Sequence, residues 1–407
     1  MKRLRDKYFS YYKEGNFLRY KQFVLERDIL RIAYYIFEAE KTIKSNKTLD
    51  RLEIPLSEET YTTKNLVKLK DILEELLLLI LAEDIEVTFT KINDVKGRVT
   101  KKFEMEKKEA ICLFSGGVDS YAGISLAEEK YKNLIGLFVA HNDQVRIIKI
   151  VNDFKKKIKT QIRTIYAPAM ESEGYSQFRG FLYILSGGVY ASLTGAGKIL
   201  VTECGPTMYQ PLFSPYDSIT YTTHPYVLKS AKEVLEILLV RKIDIITPFE
   251  DLTKAEVIAN SNLKNFSETH SCITQRRGDH CGTCFGCVIK KLAENVAGVR
   301  GVIYNKNIFD LESDRDNIIN VLEFSEKLIT NPRRIQGFQR EKMDEFEKWD
   351  LFKRYALDNL AGLMLGEEKG NDLFDRFITT EIIPLLAKRI KEVRANSFKP
   401  NFDKKVE

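Results

Sequence analysis

Two groups of residues in this 407-residue chain have the types and spacing to do chemistry. The first is Ser115-Gly116-Gly117-Val118-Asp119-Ser120, set between the apolar stretch Ile111 to Phe114 and an amphipathic segment beginning at Tyr121. It reads as a strand, a glycine turn with exposed backbone N–H groups, and a helix whose positive end faces the same spot, which together make an anion cradle. A Walker A loop would space its glycines by four residues and follow them with Lys and Ser/Thr. No lysine follows Gly117. The second group is Cys272, Cys281, Cys284 and Cys287, with the spacing C-x8-C-x2-C-x2-C. Its overlapping steps, with Gly282 and Gly286 to allow a tight turn, can aim four thiolates at one ion. Four sulfurs suit tetrahedral Zn²⁺ in a closed, structural site, with an iron–sulfur cluster as the competing occupant. The other cysteines, Cys112 in a strand and Cys204 after one, read as small core residues, although Cys204 falls near the expected crevice.

These groups need elements to hold them. From Glu109 the chain alternates short apolar strands with helices: Ile111 to Phe114, Leu134 to Ala140, Ile162 to Ala167, Ile199 to Thr202 and Ile243 to Ile246. That rhythm predicts an α/β fold, a doubly wound parallel sheet of five strands with ligands at the carboxyl ends. Ser115, His141, Pro168, Glu203 and Thr247 follow the strands and are expected to rim one crevice. Gly195-Ala196-Gly197-Lys198 precedes a strand and reads as a helix stop.

Residues 1–105 form an N-terminal mixed α/β extension. Phe17 to Leu30 alternates roughly, Thr63 is a plausible cap for a helix from Lys64 to about Ala82, and Ile85 to Thr90 alternates as a half-buried strand. Lys96 to Lys108 reads as a solvated connector. Residues 106–300 make the α/β domain with the four cysteines, and 301–407 a helical C-terminal extension. In the latter, Leu311 to Ile329, Glu341 to Leu365 and Leu373 to Val393 carry apolar residues at three-to-four spacing. Pro332-Arg333-Arg334 and Arg340 form a modest basic patch that reads as a solvated loop.

Composition narrows the partners. A net charge of +6 spread over 64 basic and 58 acidic residues permits anionic ligands without requiring nucleic acid. The basic N-terminus Met1 to Asp6 has no apolar segment behind it, so no secretory signal is expected, and the run Leu76 to Ala82 is too short to span a bilayer. Cysteines clustered this way point to a reducing, cytoplasmic setting and a metal site more than to disulfides.

The hydroxyl-Gly-Gly-X-Asp-hydroxyl pattern at 115–120 resembles the pyrophosphate loop of the PP-loop ATP pyrophosphatases, whose sheet is of the adenine nucleotide alpha hydrolase type. That resemblance implies ATP cleaved to AMP and pyrophosphate while a substrate oxygen is adenylylated. With Pro248, Thr253-Lys254-Ala255-Glu256-Val257-Ile258, Ser271-Cys272 and His280 to Cys287, residues from about 109 to 300 resemble the QueC family of 7-cyano-7-deazaguanine synthases. The family resemblance implies ATP activation of the carboxylate of 7-carboxy-7-deazaguanine, ammonia entry to an amide, dehydration to the nitrile, and one zinc on four cysteines. It implies Ser115, Gly116, Gly117, Val118, Asp119, Ser120 and His141 at ATP, with Lys254 offsetting charge on phosphate and Asp119 a ligand for Mg²⁺. Arg179, Glu203, Gly205 and His224 are expected at the substrate, Glu203 as acceptor for the guanine-like N–H edge. His224 could equally start a helix.

The departures matter as much. The chain is about twice the length of the family's usual members, and the Tyr-Pro-Asp-Cys-Arg signature is missing. Glu203-Cys204-Gly205-Pro206, Thr222-Thr223-His224-Pro225 and Gln177-Phe178-Arg179 look more like the longer QueC-like proteins of antiphage loci, as in Qat and type IV CBASS systems. Those put the activated deazaguanine on an amine of a partner protein encoded nearby, its N-terminus. The expectation is therefore an ATP-dependent ligase with a 7-deazaguanine substrate and a protein acceptor, compatible with a homodimer. A free-standing nitrile synthase using ammonia, a PP-loop tRNA sulfur transferase and a non-enzymatic binding module are the alternatives.

Overall fold

The computed structural model describes residues 23–45, 47–63, 65–92, 105–140, 159–166, 177–209, 221–261, 266, 269–272, 280–299, 302–309, 316–330, 348–366 and 372–407. The first helix, α1 (Val24–Lys44), buries Ile29, Ile32, Ala33, Ile36 and Phe37. Their three-to-four spacing is a helical stripe and overrides the rough alternation read over Phe17 to Leu30, of which 17–22 lie outside the described residues. Strands β1 (Arg51–Ser57) and β2 (Glu86–Ile92) pair in parallel, Leu52 opposite Val87 and Ile54 opposite Phe89. The short α2 (Glu58–Tyr61) and α3 (Leu66–Leu81) make the crossover. Asn65, not Thr63, is the N-cap of α3, and it makes no side-chain capping bond.

The main sheet comprises β3 (Ala110–Leu113), β4 (Leu134–Ala140), β5 (Gln161–Tyr166), β6 (Lys198–Leu200) and β7 (Asp244–Ile246). Their order is β5-β4-β3-β6-β7, and every pairing is parallel. These are the five expected strands. The chain winds outward from β3 to β5, then crosses back to β6, so the order reverses beside β3. A crevice opens at the carboxyl end of such a reversal. Helix α4 (Val118–Lys130) follows β3, α5 (Arg179–Thr194) precedes β6, and α6 (Gly205–Tyr209) and α7 (Pro225–Leu239) lead to β7. Gly195 ends α5 at φ 72°, which is the helix stop read from its sequence. A large core joins α1, α3, α5 and α7 to one face of the sheet, and α4 packs on the other through Tyr121, Ile124 and Ala127.

Beyond β7 come α8 (Lys254–Asn260), α9 (Phe285–Ala297), α10 (Asp316–Thr330), α11 (Trp349–Gly366), α12 (Asp372–Phe377) and α13 (Ile383–Arg394). The stretch expected as one helix from Leu373 to Val393 is two, because Pro384 lies in the first turn of α13 and cannot continue a preceding helix. Val118 of α4 and Ala255 and Ile258 of α8 share a core with α9 to α13. The C-terminal tail then returns to the sheet. Lys405 bridges Ile246 antiparallel, and Val406 N–H donates to Ile245 O at 2.9 Å, which covers the outer edge of β7. Among the described residues no helix is long and apolar enough to cross a membrane.

One glycine fixes how α5 meets the crevice. A β-carbon on Gly180 would lie 1.3 Å from the carbonyl oxygen of Thr222, so backbone would have to move. Gly180→Ala is expected to cost about 3 kcal/mol or more, at the upper end of overpacking. Urea unfolding of the two proteins measures it, and an unchanged midpoint would refute this account of the contact.

Candidate active site

The loop after β3 is closed by its own hydroxyls. Ser120 Oγ accepts Ser115 N–H at 3.2 Å, sits 3.1 Å from Ser115 Oγ and donates to Gly117 O at 3.1 Å. Gly116 takes φ 79°, a left-handed conformation natural to glycine, and Gly117 caps α4. From outside, His270 N–H donates to Gly116 O at 2.8 Å. Ser115 Oγ also accepts Gly117 N–H at 3.4 Å, and Ser115 and Ser120 line the crevice where the loop meets the positive end of a 13-residue helix.

Behind the loop stands an ion pair. Lys254 Nζ lies 2.6 and 2.7 Å from the two Asp119 oxygens, and both side chains are largely buried. Burial pulls against the ammonium charge, but Asp119, together with Cys204 and Glu203, more than offsets it and the Lys254 pKa is raised. Lys254 opens α8 behind a capping box, in which Thr253 Oγ1 accepts Glu256 N–H at 3.3 Å and Glu256 Oε2 accepts Thr253 N–H at 2.8 Å.

In front of the loop is a cavity of about 390 Å³. That is within the range of small-molecule sites, roughly 300 to 1,000 Å³. Leu113 to Ser115, Ser120, Leu137 to Val139 and Val201 to Glu203 line it from the ends of β3, β4 and β6. Arg179, Gly180 and Tyr183 of α5 form one wall, with Thr222 and Thr223, while His270, Ser271 and Cys272 form another. Arg179 depends on α1: the Glu40 carboxylate accepts Gln177 N–H at 2.7 Å and Phe178 N–H at 3.3 Å, supplying the cap that α5 lacks. Burial pushes the Glu203 carboxyl up to about 7, with Asp119 adding to the rise and Lys254 and Arg179 opposing it.

Of the residues singled out in the sequence, Ser115, Ser120, Arg179, Glu203 and Cys272 face this cavity. Asp119 and Lys254 stand behind the loop, and the Val118 side chain belongs to the core. Gly205 is a packing residue: its N–H donates to Phe249 O and Leu252 O at 3.1 and 3.0 Å, and a β-carbon there would meet Glu250 O at 2.2 Å. His224 is the N-cap of α7, its Nδ1 accepting Tyr226 N–H at 3.3 Å, and its neighbours Thr222 and Thr223 reach the cavity in its stead. His141 and Pro168 lie outside the described residues. Thr247, expected on the rim, is fully buried and donates to Glu250. Tyr183 and His270 carried no signal in the sequence, since neither falls in a spaced motif. Cys204 and Cys112 are buried, with thiols pushed up to about 12 by burial, as core residues would be.

The four clustered cysteines converge. Their Sγ atoms all lie within 4.8 Å of one another, and Cys281 to Cys287 and Cys272 to Cys284 are each 3.9 Å apart. Four thiolates about 2.3 Å from one tetrahedral Zn²⁺ would stand about 3.8 Å apart, so the set fits that ion. Thiolates on separate irons of a cluster would stand farther apart. Backbone N–H groups of Thr283 and Cys284 point at Cys281 Sγ at 3.4 and 3.2 Å, as donors around a thiolate should. Gly282, at φ 90°, lets the turn close against Lys306 O. Beside the cluster, buried Lys290 donates to Phe266 O at 2.9 Å and Thr269 O at 3.2 Å, and its Nζ lies 3.0 Å from His280 Nε2. The segment that ends at Cys272 is thus tied to α9 at one end and to the loop, through His270, at the other.

Residues 178–297 match the family model described as "Queuosine biosynthesis protein QueC". A curated 7-cyano-7-deazaguanine synthase of Clostridium botulinum (strain 657 / Type Ba4) is 24% identical over 216 residues, covering 46% of this chain and 94% of that protein. Both findings support a QueC-like family for the α/β portion. The family match takes in Arg179, Glu203, Lys254 and the four cysteines; the loop at 115–120 and the helices after α9 lie outside it.

Two measurements test the site. Metal analysis of the purified protein is expected to find zinc equimolar with the chain, and Cys281→Ser to lose it together with a fall in melting temperature; two or more irons per chain with acid-labile sulfide would contradict the single-ion geometry. The second concerns Glu203. Its folded pKa lies above its unfolded value of about 4.5, so the folded state binds the extra proton and stability falls as pH rises from about 4.5 through about 7. Glu203→Gln is expected to melt higher than the parent above pH 7 and about level with it below pH 4.5. Parallel melting curves that differ equally at every pH would refute the assignment.

Proposed function

We propose that this protein is an ATP-dependent, QueC-like enzyme that adenylylates the carboxylate of 7-carboxy-7-deazaguanine and transfers the activated group to an amine, the N-terminus of a partner protein in an antiphage defence system. One observation carries the reading: a single cavity has an anion-cradling loop at one end and the Arg179 and Glu203 side chains among its other walls. A phosphate chain and a small acidic heterocycle can meet there.

In this scheme the substrate carboxylate oxygen attacks the α-phosphorus of ATP, and the bond from that phosphorus to the bridging oxygen breaks. Pyrophosphate departs against the free N–H groups of the loop, and Lys254 offsets its charge from behind. The amine nitrogen then attacks the acyl carbon, AMP leaves with the electron pair of the C–O bond, and the amine gives up a proton to solvent. Glu203, once ionised, is the natural acceptor for two adjacent N–H donors of a guanine-like edge, and Arg179 holds the carboxylate or a phosphate. Mg²⁺ would neutralise the phosphates; Asp119 is its candidate ligand and is engaged by Lys254. None of the six cysteines is in a disulfide, which suits a reducing cytoplasm.

The protein acceptor rests on the departures from the usual family pattern: the length, and the Glu203 and Thr222 surroundings. The relative's name favours a second reading, a free nitrile made with ammonia. One experiment separates them. The protein is incubated with ATP, 7-carboxy-7-deazaguanine and the product of each neighbouring gene, and intact masses are recorded. A deazaguanine-sized increase on one partner with release of AMP and pyrophosphate is expected; nitrile formed from ammonium with no partner modified would overturn the conjugation reading. In ATP–pyrophosphate exchange, Lys254→Met is expected to lose about 10² to 10³ in rate, the usual effect of one placed charge donor.

A further inference from the structure

The lysine behind the loop is held by helices outside the QueC-like portion. Lys254 is the first residue of α8, and the positive end of a helix is an unfavourable place for a cation. Its first turn is nevertheless rigidly built. Thr253 Oγ1 donates to Asp358 Oδ2 of α11 at 2.5 Å. Arg389 of α13 donates from Nε to Asp358 Oδ1 at 2.7 Å, and from Nη2 to Asp358 Oδ2 at 3.1 Å and Glu256 Oε1 at 2.6 Å. Arg354 of α11 donates to both oxygens of Glu256 at 2.5 Å. Both guanidiniums sit over the Phe398 ring, at 4.3 and 5.2 Å from its centroid, and Asn260 at the end of α8 donates to Phe398 O at 2.7 Å.

Glu256, Asp358 and Arg389 are each almost wholly buried. Two carboxylates around the start of α8 are thus balanced by two guanidiniums from the C-terminal helices. Removing Arg389 would leave Asp358 without a cation beside the Thr253 hydroxyl and Glu256 with Arg354 alone, and the turn that carries Lys254 would have to shift or take up water. A shift there moves the ammonium away from Asp119, because Lys254 directly follows the Thr253 cap.

We propose that Arg389 is a positioning residue for the ATP chemistry: by bridging Asp358 and Glu256 it fixes the first turn of α8 and directs Lys254 onto the back of the 115–120 loop, so that the C-terminal helices are part of the active site. The kinetic side of this rests on the ATP-dependent reading given above; the placement of Lys254 does not. An Arg at this point supplies a planar fork to two carboxylates, which a lysine cannot copy. Arg389→Lys keeps the charge and is the variant expected to fold; Arg389→Met serves as the harsher change.

The test has two arms on the full chain. In the first, surface amines are pulse-labelled with acetic anhydride and peptides are quantified by mass spectrometry. Lys254 in Arg389→Lys is expected to label at least fivefold faster than in the parent, while Lys290 is unchanged. In the second, ATP–pyrophosphate exchange is expected to fall about tenfold in kcat with little change in the KM for ATP, and Arg389→Lys added to Lys254→Met is expected to cost nothing further. Arg376→Met, which removes an exposed pair with Glu323 in the same extension, is the control and leaves both readouts unchanged. Equal Lys254 labelling in Arg389→Lys and the parent, or rate losses that multiply in full in the double variant, would overturn the proposal. A parent protein that labels as expected but shows no exchange with any deazaguanine would count against the proposed reaction and leave the labelling arm to decide the placement.

Discussion

The ion pair between Lys254 and Asp119 is the contact on which the rest of the site depends. Asp119 lies in the first turn of α4, and Lys254 in the first turn of α8, so the pair locks together the two helix starts that flank the loop. Either charge alone would be costly at this depth, and loss of one partner from a buried pair usually costs about 3 to 5 kcal/mol. Cys204 N–H, donated to Asp119 Oδ2 at 3.4 Å, ties the segment after β6 to the same carboxylate. Glu203 is thereby drawn close to a second acid, which is one reason it holds its proton toward neutral pH.

The two regions flanking the α/β portion meet the cavity in matching ways. On one side the Glu40 carboxylate of α1 caps α5, where Arg179 begins. On the other, Asp358 of α11 accepts from the Thr253 hydroxyl just ahead of Lys254. In each case an acid from outside the sheet meets the start of a helix whose first residue is a cation, Arg179 lining the cavity and Lys254 pairing with Asp119. That arrangement answers an electrostatic problem, since a helix N-terminus repels the cation it carries and welcomes an anion. The borrowed carboxylates supply the anion and leave the cations to face the loop and the cavity.

What the sequence discloses and what it hides follow from the range of the interactions. The five strands are legible because burial on both faces imposes short apolar runs, and the 115–120 loop and the four cysteines because their chemistry demands fixed local spacing. Ser115 and Glu203 could be assigned to one crevice because residues that follow parallel strands gather at one end of the sheet, whereas Ser120 and Arg179 were read from the family resemblance. His224 and Gly205 were ambiguous because a polar residue before proline and a glycine before proline look alike whether they bind a ligand or start a helix; here the first caps α7, the helix start left open for it, and the second packs against Glu250 O. Glu40, Asp358 and Arg389 left no trace, since their partners lie 137, 105 and 133 positions away and charged residues on helices are ordinarily solvated.

The cysteine cluster belongs to the same mechanical circuit. A closed four-thiolate site has no open position for chemistry, so its contribution must pass through the chain it holds. Cys272 ends the segment whose His270 N–H grips Gly116 O, and Lys290, one turn beyond Cys287 on α9, grips the carbonyls of Phe266 and Thr269 in that segment. An ion binding the four sulfurs would fix Cys272 against α9 and leave His270 little freedom to release the loop. Gly116 stands at positive φ, where the backbone has many alternatives, and the His270 bond is its tie from outside the loop. The ordering of the anion cradle is therefore linked to an ion site with which it shares no side chain, through one short length of backbone that also forms a wall of the cavity.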